Sequence, residues 1–185
     1  MRITFLAAAI FFCTQLSAFA DIVRFMQIDT GLYRGGQPTT EADYDRLQAL
    51  GIRTIVNLRT GSSVAKERAI AEKRGIHFVH APMSSVNTVI LAPRRKSVDL
   101  AYKTITDQTQ WPVFLHCAAG KDRTGMMSAI YRVLEQNWHT ERAHDEMMQM
   151  GFNPIFGGLD REFWYRTSQR RGDLEFDVEL AHDGT

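Results

Sequence analysis

The segment Val113-Phe-Leu-His-Cys-Ala-Ala-Gly-Lys-Asp-Arg-Thr-Gly125 constrains this chain more than any other. An apolar run of strand length stops at Cys117, and a helical pattern resumes at about Thr124. Five residues separate Cys117 from Arg123. A backbone curled this tightly between a strand and a helix turns consecutive amides inward and makes an anion nest at the helix N-terminus. The amides of Ala118, Ala119, Gly120 and Lys121 are its expected donors. The Cys117 thiol lies on the floor of such a loop, where dipole and amides favour thiolate; cysteines so placed have pKa values of about 3.5 to 7.5. Arg123 returns over the rim, and its planar fork matches two oxygens of an oxyanion. Gly120 allows the curl, and Gly125 allows close packing beneath it. The plainer alternative is that Cys117 is a small buried apolar group.

The rest of the chain predicts an α/β protein with a central, mostly parallel sheet flanked by helices, the loop joining the last core strand to a helix. Strands are expected at Leu32–Arg34, Ile52–Leu58, Ile76–Ala81 and Val113–His116. Helices are expected over Glu41–Leu50 with Thr40 as cap, from Ser62 or Ser63 to Arg74, and from Pro93 to about Gln110. Three more are expected over Thr124–Gln136, Thr140–Met150 and Leu159–Arg170. Met147, Met148, Met150, Phe152, Phe163 and Trp164 are expected to pack this helical part onto the sheet.

Residues 1–20 have a basic start, an apolar run from Ile3 to Phe12 and Ala18-Phe19-Ala20 before Asp21, the pattern of a cleaved signal peptide. The run is shorter than the ~20 residues of a membrane span, so no stable membrane insertion is expected after cleavage. Phe12 before Cys13 disfavours a lipoprotein site. An exported protein, periplasmic or secreted, follows as an expectation, with residues 21–172 as one domain and 173–185 as an acidic tail. Loss of Cys13 leaves Cys117 without an intramolecular partner in a compartment where disulfides form. Side-chain charges of the mature chain balance, which gives nucleic-acid binding no support. The tail carries five acids and no Lys or Arg after Arg171, so the remaining body is basic and suits anionic substrates.

His116-Cys117-x-x-Gly120-x-x-Arg123-Thr124-Gly125 resembles the signature of the Cys-x5-Arg protein tyrosine phosphatase superfamily at every defined position. The resemblance implies a phosphocysteine intermediate on Cys117, phosphate clamped by Arg123, thiolate stabilisation by Thr124 and loop orientation by His116. It implies no metal and no cofactor. Gly31-Leu-Tyr-Arg-Gly-Gly-Gln-Pro38 and Gly51-Ile-Arg-Thr-Ile-Val-Asn-Leu-Arg59 look like the opening of small dual-specificity-type phosphatases, so the resemblance runs from about Gly31 to Gly151. In that family Arg34 and Arg59 lie near the site, where either can help hold an anionic substrate; taken alone they read as surface or strand-end arginines.

The family's general-acid Asp, some thirty residues before the cysteine, has no counterpart: Ala81-Pro-Met-Ser-Ser-Val-Asn87 contains none. Asp122 is the first substitute candidate, since myotubularin-like phosphatases place an acid at that loop position, and Asp99 the second. Alternatively Asp122 orients the loop, or the leaving group needs little help. Lys121 gives the loop a second cation, as in phosphoinositide phosphatases, and Arg94-Arg95-Lys96 can add more if Pro82 to Pro93 folds over the pocket. Tyrosine-phosphatase-like phytases are also similar, so the expected partner is a phosphoprotein or a phosphorylated small molecule such as an inositol polyphosphate. The competing classes are a catalytically weak phosphate-binding module and a rhodanese-like sulfurtransferase, which Arg123-Thr124-Gly125 disfavours.

Overall fold

The computed structural model describes residues 22–168. The expected signal peptide, the acidic tail and the predicted helix end at Arg170 lie outside the described residues.

Five strands form one sheet in the order β1-β2-β5-β3-β4. These are β1 (Met26–Asp29), β2 (Leu32–Gly35), β3 (Thr54–Asn57), β4 (His77–His80) and β5 (Val113–His116). β1 turns tightly into antiparallel pairing with β2, and the remaining neighbours are parallel. In register, Gly35 and Asn57 flank His116, so the ends of β2 and β3 frame the last strand residue before Cys117. β1 is the strand the sequence reading lacks: it is a short edge strand of which only Ile28 is buried, so it shows no apolar run.

Among the described residues six α-helices cover the sheet. They are α1 (Glu41–Ala49), α2 (Ser63–Lys73), α3 (Arg95–Thr106), α4 (Asp122–Leu134), α5 (Thr140–Gln149) and α6 (residues 157–168). Alternation along the central strands sorts their side chains between two cores. Ile55 and Phe114 pack with Tyr44, Leu47 and Ala71 of α1 and α2. Val56, Val113 and Leu115 pack with Val98, Met126, Ile130, Met147 and Phe163 of the other helices. Met148 and Trp164 pack against that second core while partly exposed.

Helix ends follow local chemistry. Thr40 caps α1 in a reciprocal capping box with Asp43. Ser62 precedes α2 without a side-chain cap, and Gly75 follows it at φ 71°. α3 starts after Pro93 and Arg94 and ends at Thr106, short of the expected Gln110. There the Asp107 carboxylate accepts from the Thr109 amide and winds residues 108–110 into a separate 3-10 turn. α4 begins at Asp122, two residues earlier than expected, with an acid in its first turn where the macrodipole favours it. α6 begins at residue 157, where Gly157 and Gly158 admit the segment that precedes α3: a Cβ on Gly158 would sit 1.9 Å from the Leu91 carbonyl oxygen. Among the described residues no helix is long and apolar enough to cross a membrane.

Candidate active site

The curl between β5 and α4 is held by its carbonyls, which all point to donors outside it. The Cys117 carbonyl lies 3.0 Å from His116 Nδ1. The Ala118 carbonyl accepts from the Gln37 amide at 3.0 Å, and that of Ala119 from Arg24 Nη1 at 3.1 Å. The Gly120 carbonyl accepts from Arg34 Nη2. With the oxygens turned out, the amides of residues 118–123 find no oxygen acceptor among the described residues. Gly120 makes the geometry possible at φ 68°: a Cβ there would lie 2.5 Å from the Gly35 carbonyl carbon and 2.6 Å from the Gly36 nitrogen.

Cys117 sits on the floor, 1% exposed. Burial pushes its thiol up, but the Arg123 charge, the Thr124 hydroxyl and the amides of Thr124 and Gly120 together bring it below the ordinary thiol value. Thr124 Oγ1 is buried with no other partner, which leaves its hydroxyl to the sulfur. Arg123 is almost as buried, and its Nη1 donates to the carbonyls of Leu58 at 3.3 Å and Met83 at 3.1 Å. Among the described residues Nε and Nη2 donate to nothing, so one edge of the fork is anchored and the other is free for an oxyanion. A Cβ on Gly125 would come 3.2 Å from Met147 Cγ, so α4 and α5 pack closely just below the loop.

Behind the loop lies a polar network that sequence reasoning missed. His116 is fully buried and stacked on Phe114, with Glu67 Oε1 2.6 Å from its Nε2. Neither atom has a well-directed hydrogen bond, so the contact is a close approach of two buried polar groups. Glu67 Oε2 accepts from Gln37 Nε2 at 2.8 Å and Asn57 Nδ2 at 2.9 Å. The oxygens of those two amides accept in turn from Arg59, through its Nη1 and its backbone N–H. A signal for Glu67 was present: Val64, Glu67 and Ala71 form the buried stripe of α2, and an acid on such a stripe needs a buried partner.

The two arginines carried over from the family pattern are placed differently. Arg34 is 1% exposed and lies under the loop instead of at its mouth, where burial pulls its pKa down to about 10 against the raising effect of the Cys117 and Glu146 charges. It props the loop and adds positive charge beneath the sulfur. Arg59 is half-buried and bound to Gln37. Arg24, not singled out from the sequence, links the Ala119 carbonyl to that of Met150.

Neither substitute acid is unengaged. Asp122 Oδ1 accepts from the Asn153 amide at 2.9 Å and so ties the loop to the segment after α5. Asp99 pairs with Arg166 of α6 at 2.6 Å, and none of its bonds reaches the loop. Residues 81–87 lead into a short 3-10 turn (Asn87–Val89) beside a cleft of about 430 Å³, whose lining holds no carboxylate. The side chain of Lys121, directly before α4, makes no hydrogen bond or ion pair among the described residues.

A four-stranded parallel core carrying an amide-lined Cys-to-Arg loop into a helix defines a cysteine-phosphatase type of fold. The chain belongs to the tyrosine phosphatase family, whose sequence profile matches residues 21–162. It is 27% identical over 124 residues to inositol diphosphatase DSP2 of Oryza sativa subsp. japonica, covering 67% of this chain and 60% of that protein. It is 25% identical over 133 residues to dual specificity protein phosphatase TpbA of Pseudomonas aeruginosa, covering 70% and 56%. The chain thus spans less than two thirds of these relatives. In fold it matches the catalytic core of the PP-IP phosphatase SIW14 from S. cerevisiae with a TM-score of 0.61 at 21% identity, covering 80% of this chain and 92% of that one. It matches P. aeruginosa TpbA with a TM-score of 0.62 at 21% identity, covering 80% and 90%.

Proposed function

We propose that this chain is a cysteine-dependent phosphatase, and the observation that carries the reading is the loop whose every carbonyl is turned outward around a depressed Cys117 thiol. The Cys117 thiolate attacks phosphorus, a P–S bond forms, and the P–O bond to the leaving group breaks. Water then attacks the phosphocysteine, releasing inorganic phosphate and restoring the thiolate. The loop amides and the free edge of Arg123 hold the equatorial oxygens in both steps. His116 and Arg34 position the loop from behind, and Asp122 anchors it to Asn153.

Of the two substrate classes, phosphotyrosine-type and inositol polyphosphate, the site favours members whose leaving oxygen is already acidic. With no carboxylate lining the adjoining cleft, an alkoxide leaving group goes unprotonated. A phenol, with a pKa of about 10, leaves more easily. A phosphate monoester, with a second pKa of about 6, needs no acid at all. The terminal phosphate of an inositol diphosphate is the best fit, and the named activity of the DSP2 relative accords with it. The test compares phosphate release from a diphosphoinositol pentakisphosphate, inositol hexakisphosphate, a phosphotyrosine peptide and p-nitrophenyl phosphate, with Cys117→Ser as blank. The order expected is diphosphate and aryl esters well above the hexakisphosphate. Binding without turnover of any of the four would make the chain a phosphate-binding module, and persulfide formation with thiosulfate would make it a sulfurtransferase.

The Met1–Ala20 pattern supports export as a companion proposal. A mature protein recovered from cell extracts with Met1 intact would refute it.

A further inference from the structure

The cleft is walled by the two segments to which Arg123 is anchored. The two carbonyls that hold Arg123 Nη1 belong to Leu58 and Met83. Thr60, two residues after Leu58, lines the cleft, as do Pro82 and Ser84 on either side of Met83. The cleft is thus joined to the anchored edge of Arg123 through the 58–60 and 82–84 segments, on the side that a substrate larger than one phosphate would have to occupy to reach it. The volume of about 430 Å³ falls within the 300 to 1,000 Å³ typical of small-molecule sites.

The charge of the cleft has one sign. Arg94 is the cation in its lining, no acid lines it, and Ser84 and Asn87 add neutral polar groups. Arg94 is exposed and makes no ion pair or hydrogen bond through its side chain among the described residues. The structure also separates it from its two basic neighbours, which the sequence does not. Arg95 donates to the Tyr165 hydroxyl at 3.3 Å, lies over that ring, and lines a different cleft against α6. Lys96 is exposed and lines neither. A cation left unpaired in a cleft without acids is placed to receive an anion.

The geometry points to a second anion subsite, in which Arg94 with Ser84 and Asn87 takes a further phosphate of a polyphosphorylated substrate whose reacting phosphate occupies the Cys117 loop. The subsite rests on the phosphatase reading and deepens it: it selects polyanionic substrates over those with a single phosphate.

The test is the ratio of kcat/KM for a diphosphoinositol pentakisphosphate to that for p-nitrophenyl phosphate, measured in wild type, Arg94→Ala, Arg94→Lys and Lys73→Ala. Lys73 supplies the charge-count control, because it is an exposed cation in the last turn of α2. Arg94→Ala is expected to lower the ratio about five- to tenfold, the size of one partly solvated charge-assisted contact, mainly through KM. Arg94→Lys should recover part of the loss, and Lys73→Ala should leave the ratio within about twofold. An unchanged ratio in Arg94→Ala, or an equal fall in Lys73→Ala, overturns the subsite. Turnover of p-nitrophenyl phosphate with neither turnover of nor inhibition by the polyphosphate overturns it while leaving the phosphatase reading intact. A wild-type protein inactive on both substrates sinks the phosphatase reading, and the subsite with it.

Discussion

Replacing Glu67 by Ala should cost this protein much more than an ordinary helix substitution. Glu67 is 2% exposed; it accepts from Gln37 Nε2 and Asn57 Nδ2, and His116 Nε2 lies 2.6 Å from its other oxygen. Without the carboxylate neither amide finds a new acceptor, because the oxygens of Gln37 and Asn57 are already engaged by Arg59 and those amides cannot turn over. Each buried donor left unsatisfied costs about 1 to 3 kcal/mol, so losing the acceptor of two buried amides is expected to cost about 4 kcal/mol. At about 2 to 4 °C per kcal/mol for a domain of this size, Tm should fall by roughly 8 to 16 °C. Glu67→Gln keeps one oxygen for the two amides and should recover about half of that loss. Glu72→Ala is the control on the same helix: its 3.6 Å pair with Arg68 is exposed and worth less than about 0.5 kcal/mol. Urea and thermal unfolding read all three variants. A Glu67→Ala protein within about 1 kcal/mol of wild type would refute the argument that the loop is braced from α2.

Three further outcomes are expected. The rate of Cys117 alkylation by iodoacetamide should rise with pH along a limb below the ordinary thiol value of about 8.5, since the thiolate is the reactive form and the native site depresses its pKa. The same depression stabilises the fold above about 8.5, a contribution lost as pH falls through the native value. Arg123→Ala should move the alkylation limb upward, and a wild-type limb at or above 8.5 would count against the loop's electrostatics. Gly120→Ala should reduce turnover by about a hundredfold, because its Cβ meets backbone atoms of Gly35 and Gly36 that cannot yield and the amides shift with it. Near-normal kcat/KM in that variant would show that the curl is not needed. Asp122→Asn keeps an acceptor for the Asn153 amide, so its losses on alkyl and aryl phosphates should be alike; a selective loss on alkyl esters would make Asp122 a proton donor.

The centre of the sheet was legible because β3 and β5 are buried on both faces and read as short apolar runs between glycine-punctuated helices. The loop was legible because Cys117, Gly120 and Arg123 each meet a separate local requirement of the same curl. What escaped was long-range. The side chains of Arg24 and Glu67 act on groups far along the sequence; the buried stripe of α2 shows that Glu67 needs a partner but not which one, and nothing beside Arg24 announces its role. Arg34 looked like a strand-end cation and proved a buried prop, a distinction set by the depth of β2 in the sheet. The helix limits moved for local reasons that compete with propensity, such as the Asp107 carboxylate capturing the Thr109 amide.

Arg24 has one further consequence. Its guanidinium joins carbonyls 95 and 126 positions downstream, so the loop is tied by groups far apart in the sequence. Such contacts form only after distant parts of the polypeptide have come together. The cradle is complete only when those distant parts are in place, and a bound oxyanion, recognising only that state, is expected to pull the folding equilibrium toward it. Inorganic phosphate or vanadate added during refolding should thus serve as a reporter of completed assembly as well as an inhibitor.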